Sequence, residues 1–218
     1  MPTIDTERFR LRNFVEQLVA SGECEVREKP VDLVDVAAAL DGNPRAVLFK
    51  AAGPEKAELV GNVMGSRKRL ASALGTDERD LLSTVNARLN RLHPPVKVSS
   101  QQAPVQQVVL KEDDADLTAL PAHLQHGADG APYISAGIDY ALFPGTGLTN
   151  VGCRRIMLRG KRHAGVDLIA PSDMRAIYLE GAARKEPVPV AYTVGSHPAD
   201  FLAAMTSLPS VDELSVVG

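Results

Sequence analysis

Tyr133-Ile134-Ser135-Ala136-Gly137-Ile138-Asp139-Tyr140-Ala141-Leu142-Phe143 and Thr149-Asn150-Val151-Gly152-Cys153-Arg154-Arg155-Ile156-Met157-Leu158 are the two stretches that decide the fold, because each reads as a β-strand. The segment between them, Pro144 to Leu148, holds a GxG. No third glycine follows at dinucleotide spacing and the next run is a strand, so it reads as a tight turn and not as a nucleotide loop. Downstream, Arg159-Gly160-Lys161-Arg162 turns the chain into Val166-Asp167-Leu168. A helix is expected from Pro171 to Ala183, a strand from Val188 to Val194, and the cap and first turn of a helix at Ser210-Val211-Asp212-Glu213. Upstream, Val105 to Leu110 is a further strand candidate.

Helix formers run out at His93-Pro94-Pro95 and stay scarce through Ala103-Pro104, which places a linker or seam at 93–104 and two domains at 1–104 and 105–218. The first reads as a small α/β unit. Leu11, Phe14, Val15, Leu18 and Val19 form one apolar helical stripe that Gly22 can close. A short helix over Leu33–Leu40, a turn at Asp41-Gly42-Asn43-Pro44 and strands at Ala46–Phe49 and Leu59–Met64 follow. Ser66 is the expected N-cap of Arg67–Leu74. Thr76 is that of the next helix, whose inner stripe is Leu81, Leu82, Val85 and Leu89.

The composition narrows the function. With 24 Lys plus Arg against 27 Asp plus Glu the net charge is −3, which leaves no basic excess for a phosphate backbone. Aromatics are 4% with no Trp, a poor supply for base stacking. No apolar run is long enough to span a membrane, and Met1 to Arg8 has no apolar signal core. Neither nucleic acid nor a membrane is an expected partner, and the expected location is cytoplasmic. The two cysteines, Cys24 and Cys153, have no metal or disulfide spacing and read as free thiols.

Several residues could carry chemistry. His123 and His126 are spaced for a shared helical face, but Pro121–Asp129 reads as loop, which favours solvated histidines over ligands. Cys153 has arginine neighbours that would favour a thiolate, yet no local His and Asn support a nucleophile, so it reads as a buried structural cysteine. Arg154 and Arg155 point to opposite strand faces. One therefore faces the core side, where it needs either an internal carboxylate or an anionic ligand. Asn150 is either a turn residue or a ligand for a hard cation, and spacing leaves both open. Asp173 and Glu213 sit where helix caps are expected.

Three blocks occur in an order and at separations that resemble the UbiD-like decarboxylases: Gly61-Asn62-Val63-Met64-Gly65-Ser66-Arg67-Lys68-Arg69-Leu70-Ala71, Asp129-Gly130-Ala131-Pro132-Tyr133-Ile134-Ser135, and Thr149 to Arg155. The resemblance implies an α/β (α+β) fold, with a small N-terminal α/β domain followed by the first part of a flavin-binding split β-barrel with flanking helices. It implies reversible decarboxylation of aromatic or α,β-unsaturated acids with prenylated FMN, Mn²⁺ or Mg²⁺, and K⁺. It further implies a flavin prenyltransferase as cofactor supplier and a homo-oligomeric full-length enzyme.

Carried over residue by residue, the family's Asn-x-x-x-x-Arg motif falls on Asn150 and Arg155. Arg155 takes the catalytic role, and Asn150, Val151, Gly152, Cys153, Arg154, Arg155 and Met205 take the cofactor contacts. The metal ligands would be Asn150, Asp173, where the family has histidine, and Glu213, five residues before Gly218. Asn150 and Arg155, five apart, would face opposite ways on a straight strand, so a bulge is expected at Gly152. The family's later acidic pair and C-terminal domain are not in these 218 residues. The chain is therefore expected to be a cut or naturally split N-terminal portion and, by itself, a poor decarboxylase. The competing reading is a non-catalytic flavin- or anion-binding module, or one subunit of a split assembly.

Overall fold

A computed structural model describes residues 7–208 and 210–218, so most of the Met1–Arg8 segment, read above as having no apolar signal core, lies outside the described residues. The first helix, α1 (Leu11–Ala20), buries Phe14, Val15 and Leu18. Val19 stays exposed, which narrows the expected stripe. Gly22 follows the helix at φ +76°, a conformation that costs glycine least. The buried face of α1 packs with Cys24 of β1 (Cys24–Arg27) and Ala46 of β2 (Ala46–Ala52).

Strand β1 is too short to read from alternation. A 3₁₀ turn at Leu33–Asp35 leads into α2 (Val36–Leu40), whose Val36 joins Val47, Phe49 and Ala52 in a second cluster. The sheet is β1-β2-β3, parallel then antiparallel. Strand β3 (Ala57–Gly61) stops three residues short of the expected Met64. At its end Asn62 turns left-handed at φ 58° and donates to the carbonyls of Asn43 and Arg45, drawing the chain out of the sheet.

Ser66 caps α3 (Arg67–Leu74) by accepting the Arg69 N–H at 3.1 Å, and Gly75 ends it in the left-handed region. Thr76 does not cap the next helix, because its hydroxyl pairs with that of Thr84 at 3.0 Å and α4 (Leu81–Leu89) begins only after Asp80. Leu82, expected inside, is 65% exposed.

The segment from 90 to 132 is irregular, with 3₁₀ turns at Pro104–Gln106, Glu112–Asp114 and Leu117–Ala119. Val105–Leu110 is therefore not a strand: it pairs with no neighbour, and β-branched side chains favour strands only where a sheet receives them.

The remaining strands are β4 (Tyr133–Ile134), β5 (Gly137–Leu142), β6 (Thr149–Cys153), β7 (Ile156–Gly160), β8 (His163–Gly165) and β9 (Val190–Val194). They form two antiparallel sheets, β4-β7-β8 and β6-β5-β9. Each of the two long strands expected from sequence is thus broken, one at Ser135-Ala136 and the other at Arg154-Arg155. Both breaks hand the chain from one sheet to the other. Among the described residues these sheets do not close into a barrel, and the fold is mixed α/β.

Strand β8 starts earlier than Val166 because Gly160, at φ +146°, lets the hairpin close across Lys161-Arg162. Ser172, not Asp173, caps α5 (Asp173–Arg184), which packs Met174 and Ile177 against Ala141. Two short helices follow, α6 (Pro198–Ala204) and α7 (Leu214–Val217). Helix α6 was not foreseen, although His197-Pro198 with Asp200 carries its signal: a proline at the first helical position and an acid able to complete a capping box. Its Ala199 and Leu202 pack against Ala71, Leu74 and Leu81, tying the second half to the first.

Candidate functional site

Strand β6 is an edge strand, and an edge exposes backbone N–H groups that must be paired. Here side chains from the stretch before α7 pair them. The Thr149 N–H donates to Asp212 Oδ1 at 3.3 Å and the Val151 N–H to Glu213 Oε2 at 2.7 Å, while the Glu213 N–H donates back to the Thr149 carbonyl at 3.1 Å. Glu213 occupies the N-cap position of α7 without capping it; its carboxylate is turned onto β6 instead.

Asn150 lies within β6, opposite Ala141, and is not a turn residue. Its Nδ2 donates to the same Glu213 oxygen at 2.8 Å, and both side chains are 7% exposed. The partner amide oxygen, Asn150 Oδ1, is buried with no hydrogen-bond partner. An unsatisfied buried acceptor costs roughly 1–3 kcal/mol, so this atom is suited to an incoming donor or cation. The fold therefore joins residues 63 positions apart in one buried oxygen-rich pair.

Asp173 is exposed in the first turn of α5, and among the described residues no hydrogen bond or ion pair joins it to Asn150 or Glu213. Among the described residues no group of three or more His, Cys, Asp or Glu side chains could hold a metal. The oxygen pair nonetheless has the donor chemistry a hard divalent ion prefers. Met205 follows α6 and is 61% exposed.

The bulge expected at Gly152 to bring Asn150 and Arg155 to one side is not there: the β5–β6 register runs unbroken through Gly152, and the chain instead leaves β6 at Arg154-Arg155. Arg154 is the core-side arginine, and its anion is internal: Nε donates to Asp139 Oδ2 at 2.8 Å, with Asp139 1% exposed. Sequence reasoning missed Asp139, although an acid in the middle of an apolar strand asks for a cation. Arg155 is exposed, its guanidinium carbon 5.4 Å from the Tyr133 ring centroid. Tyr133 also lines an apolar cavity of about 730 Å³ between the β3 end and β4.

Cys153 is exposed, not buried as expected. Its thiol is pushed above the usual range, first by desolvation and then by the Asp139 carboxylate, which disfavours a nucleophilic role. Cys24 is buried. The two loop histidines do not act together. His126 Nδ1 accepts the Ala128 N–H in a local turn, whereas His123 is half-buried, its imidazole pushed down by desolvation and its Nδ1 without a partner.

Two family models match. Residues 15–89 match the 3-octaprenyl-4-hydroxybenzoate carboxy-lyase N-terminal domain, and residues 96–218 match the Rift-related domain of the same carboxy-lyases. The chain belongs to the UbiD family. It is 29% identical to the anhydromevalonate phosphate decarboxylase of Methanosarcina mazei, over 93% of this chain and 46% of that protein. It is 31% identical to the phenolic acid decarboxylase of Sedimentibacter hydroxybenzoicus, over 91% of this chain and 44% of that one. The UbiD-class enzyme HmfF from Pelotomaculum thermopropionicum, solved in complex with FMN, superposes with a TM-score of 0.88 at 29% identity, covering 95% of this chain and 47% of that one. The chain thus spans about half the length of the relatives it matches.

Proposed function

We propose that this chain forms part of a reversible, non-oxidative decarboxylase of aromatic or α,β-unsaturated carboxylic acids that uses prenylated FMN and Mn²⁺ or Mg²⁺, with K⁺. The carrying observation is the buried Asn150–Glu213 pair with its unpartnered amide oxygen, close in sequence to an exposed arginine. The relatives support the reaction class, and an evolved dimeric HmfF solved in complex with prFMN supports the cofactor. We further read 1–104 as an N-terminal domain and 105–218 as the first part of the flavin-binding split barrel. The prenylated flavin would come from a dedicated prenyltransferase, and the full-length enzyme would be a homo-oligomer. The two-subunit vanillic acid decarboxylase ShVdcCD of Sedimentibacter hydroxybenzoicus keeps a multi-subunit assembly in view.

Asn150 Oδ1 and the Glu213 carboxylate would hold the divalent ion. Asp173, in the first turn of a helix packed against β5, is the third ligand proposed. Residues 150–155 and Met205 would contact the cofactor. When bound, the flavin supplies an electron sink for the carbon that loses CO₂. Arg155, free of any carboxylate partner in the described residues, holds the substrate carboxylate by paired N–H donation. Tyr133 orients that guanidinium through its ring face.

The test is Asn150→Ala. Metal content and the visible flavin spectrum of the purified protein should both fall at least tenfold relative to wild type, while the circular dichroism spectrum is kept. Unchanged occupancy of both would remove Asn150 from the site.

A further inference from the structure

The break between β6 and β7 is held by Arg154. Arg154 is fixed at three points. Its backbone N–H donates to the Gly137 carbonyl at 3.0 Å, and its carbonyl oxygen lies so close to Gly137 that a Cβ there would meet it at 2.9 Å. Its guanidinium is paired with Asp139 at 2.8 Å. Asp139 stands directly across from Gly152 in the β5–β6 register. A Cβ on Gly152 would come within 2.9 Å of Asp139 Oδ1 and 3.1 Å of Arg154 Nη2, so the missing side chain makes room for the ion pair.

A buried pair of this kind contributes little net stability against an apolar replacement, because desolvation of both charges offsets most of their attraction. Its use is geometric. Arg155 is the next residue, and successive side chains leave an extended backbone on opposite sides. Fixing the Arg154 side chain inward therefore directs the Arg155 side chain outward, over the Tyr133 ring.

We propose that Asp139 and Arg154, seated in the space left by Gly137 and Gly152, are a positioning pair that aims the Arg155 guanidinium. The inference rests on the carboxylate-holding role given above to Arg155, but its first readout does not.

The experiment uses the 218-residue chain, with Arg154→Gln, Arg154→Lys and Asp139→Asn variants, and benzoate as a minimal aromatic carboxylate probe. NMR relaxation of the Arg155 Nε–H group reports side-chain order, and titration of the same signal gives benzoate affinity. Arg154→Gln should loosen Arg155 to the mobility of the exposed Arg159 and weaken benzoate about tenfold, Arg154→Lys should recover most of both, and the Asn150 side-chain amide signal should not move. Asp139→Asn should match Arg154→Gln. If it does not fold, the Arg154 pair of variants decides alone.

A folded Arg154→Gln with Arg155 as ordered as in wild type overturns the positioning role. An Arg155→Ala variant that binds benzoate as well as wild type overturns the carboxylate role instead, and leaves the mobility result to decide the pair.

Discussion

Glu213 shows how one side chain can be read two ways. From sequence it is a helix-start acid, and position alone supports a cap. In the fold a single carboxylate oxygen takes two buried donors, the Asn150 amide and the Val151 N–H, at 2.8 and 2.7 Å. Hydrogen bonds to a charged acceptor are worth about 1.5–3 kcal/mol each, and removing the acceptor leaves two donors stranded. Glu213→Ala should therefore cost about 2–4 kcal/mol in urea unfolding. Glu213→Gln, which keeps an acceptor oxygen, should cost less than half of that. Equal losses in the two variants would show that packing, not the shared oxygen, matters there. The residue's contact with β6 was not legible because it joins positions 63 apart, and only the resemblance, not the spacing, linked Glu213 with Asn150. Arg154 was half legible: the need for a buried anion followed from strand alternation, but which of several acids would supply it depended on the β5–β6 register.

At the scale of elements, the legible parts are those with local chemistry. Ser66 accepts the N–H three residues on, as its position before a helical run implies, whereas α5 is capped in the same way by Ser172 and not by the expected Asp173. Ser66→Ala should lower stability by about 1 kcal/mol, and Ser66→Asp should restore it, with thermal unfolding as the measurement. A loss of under a few tenths would mean that α3 is held by packing alone. The parts not legible are those decided by partners. Val105–Leu110 has strand composition and no strand beside it. Thr149–Leu158 is one apolar run that serves two sheets, and nothing in its alternation marks the crossover at Arg154-Arg155. Thr76 looked like a cap but meets Thr84, a choice made by the α3–α4 packing.

Over the whole molecule, the two halves meet at α6. His197, 2% exposed, makes T-shaped ring contacts with Phe9 and Phe14 from the first half at centroid distances of 5.3 and 5.0 Å. It also closes a capping box with Asp200: the His197 N–H donates to the carboxylate at 3.2 Å, and the imidazole Nδ1 accepts the Ala199 N–H at 3.1 Å. Arg12, Lys50 and Glu58 share the adjoining cavity. Burial pushes His197 down to about 4 and Asp200 up to about 6. The two act in opposite directions. His197 is neutral in the fold, so its contribution is present above the ordinary value of 6.5 and is lost as pH falls toward 4. Asp200 binds its proton more tightly folded than unfolded, so stability rises as pH falls through 6 toward 3.8. Each shift is worth at most about 3 kcal/mol, and the windows overlap, so the chain should show a nearly flat urea midpoint between pH 6 and pH 4. Glu23, Glu25 and Glu58, held below their ordinary value by nearby cations, lose stability only at the acid end of that range and below. Single substitutions separate the pair. Asp200→Asn should be more stable than wild type at pH 7 and then lose stability steadily as pH drops through 6. His197→Asn, which keeps a cap acceptor, should gain stability over the same interval. If both variants keep the flat profile of wild type, neither group titrates differently in the folded and unfolded states, and the junction between the halves is not the source of the pH response.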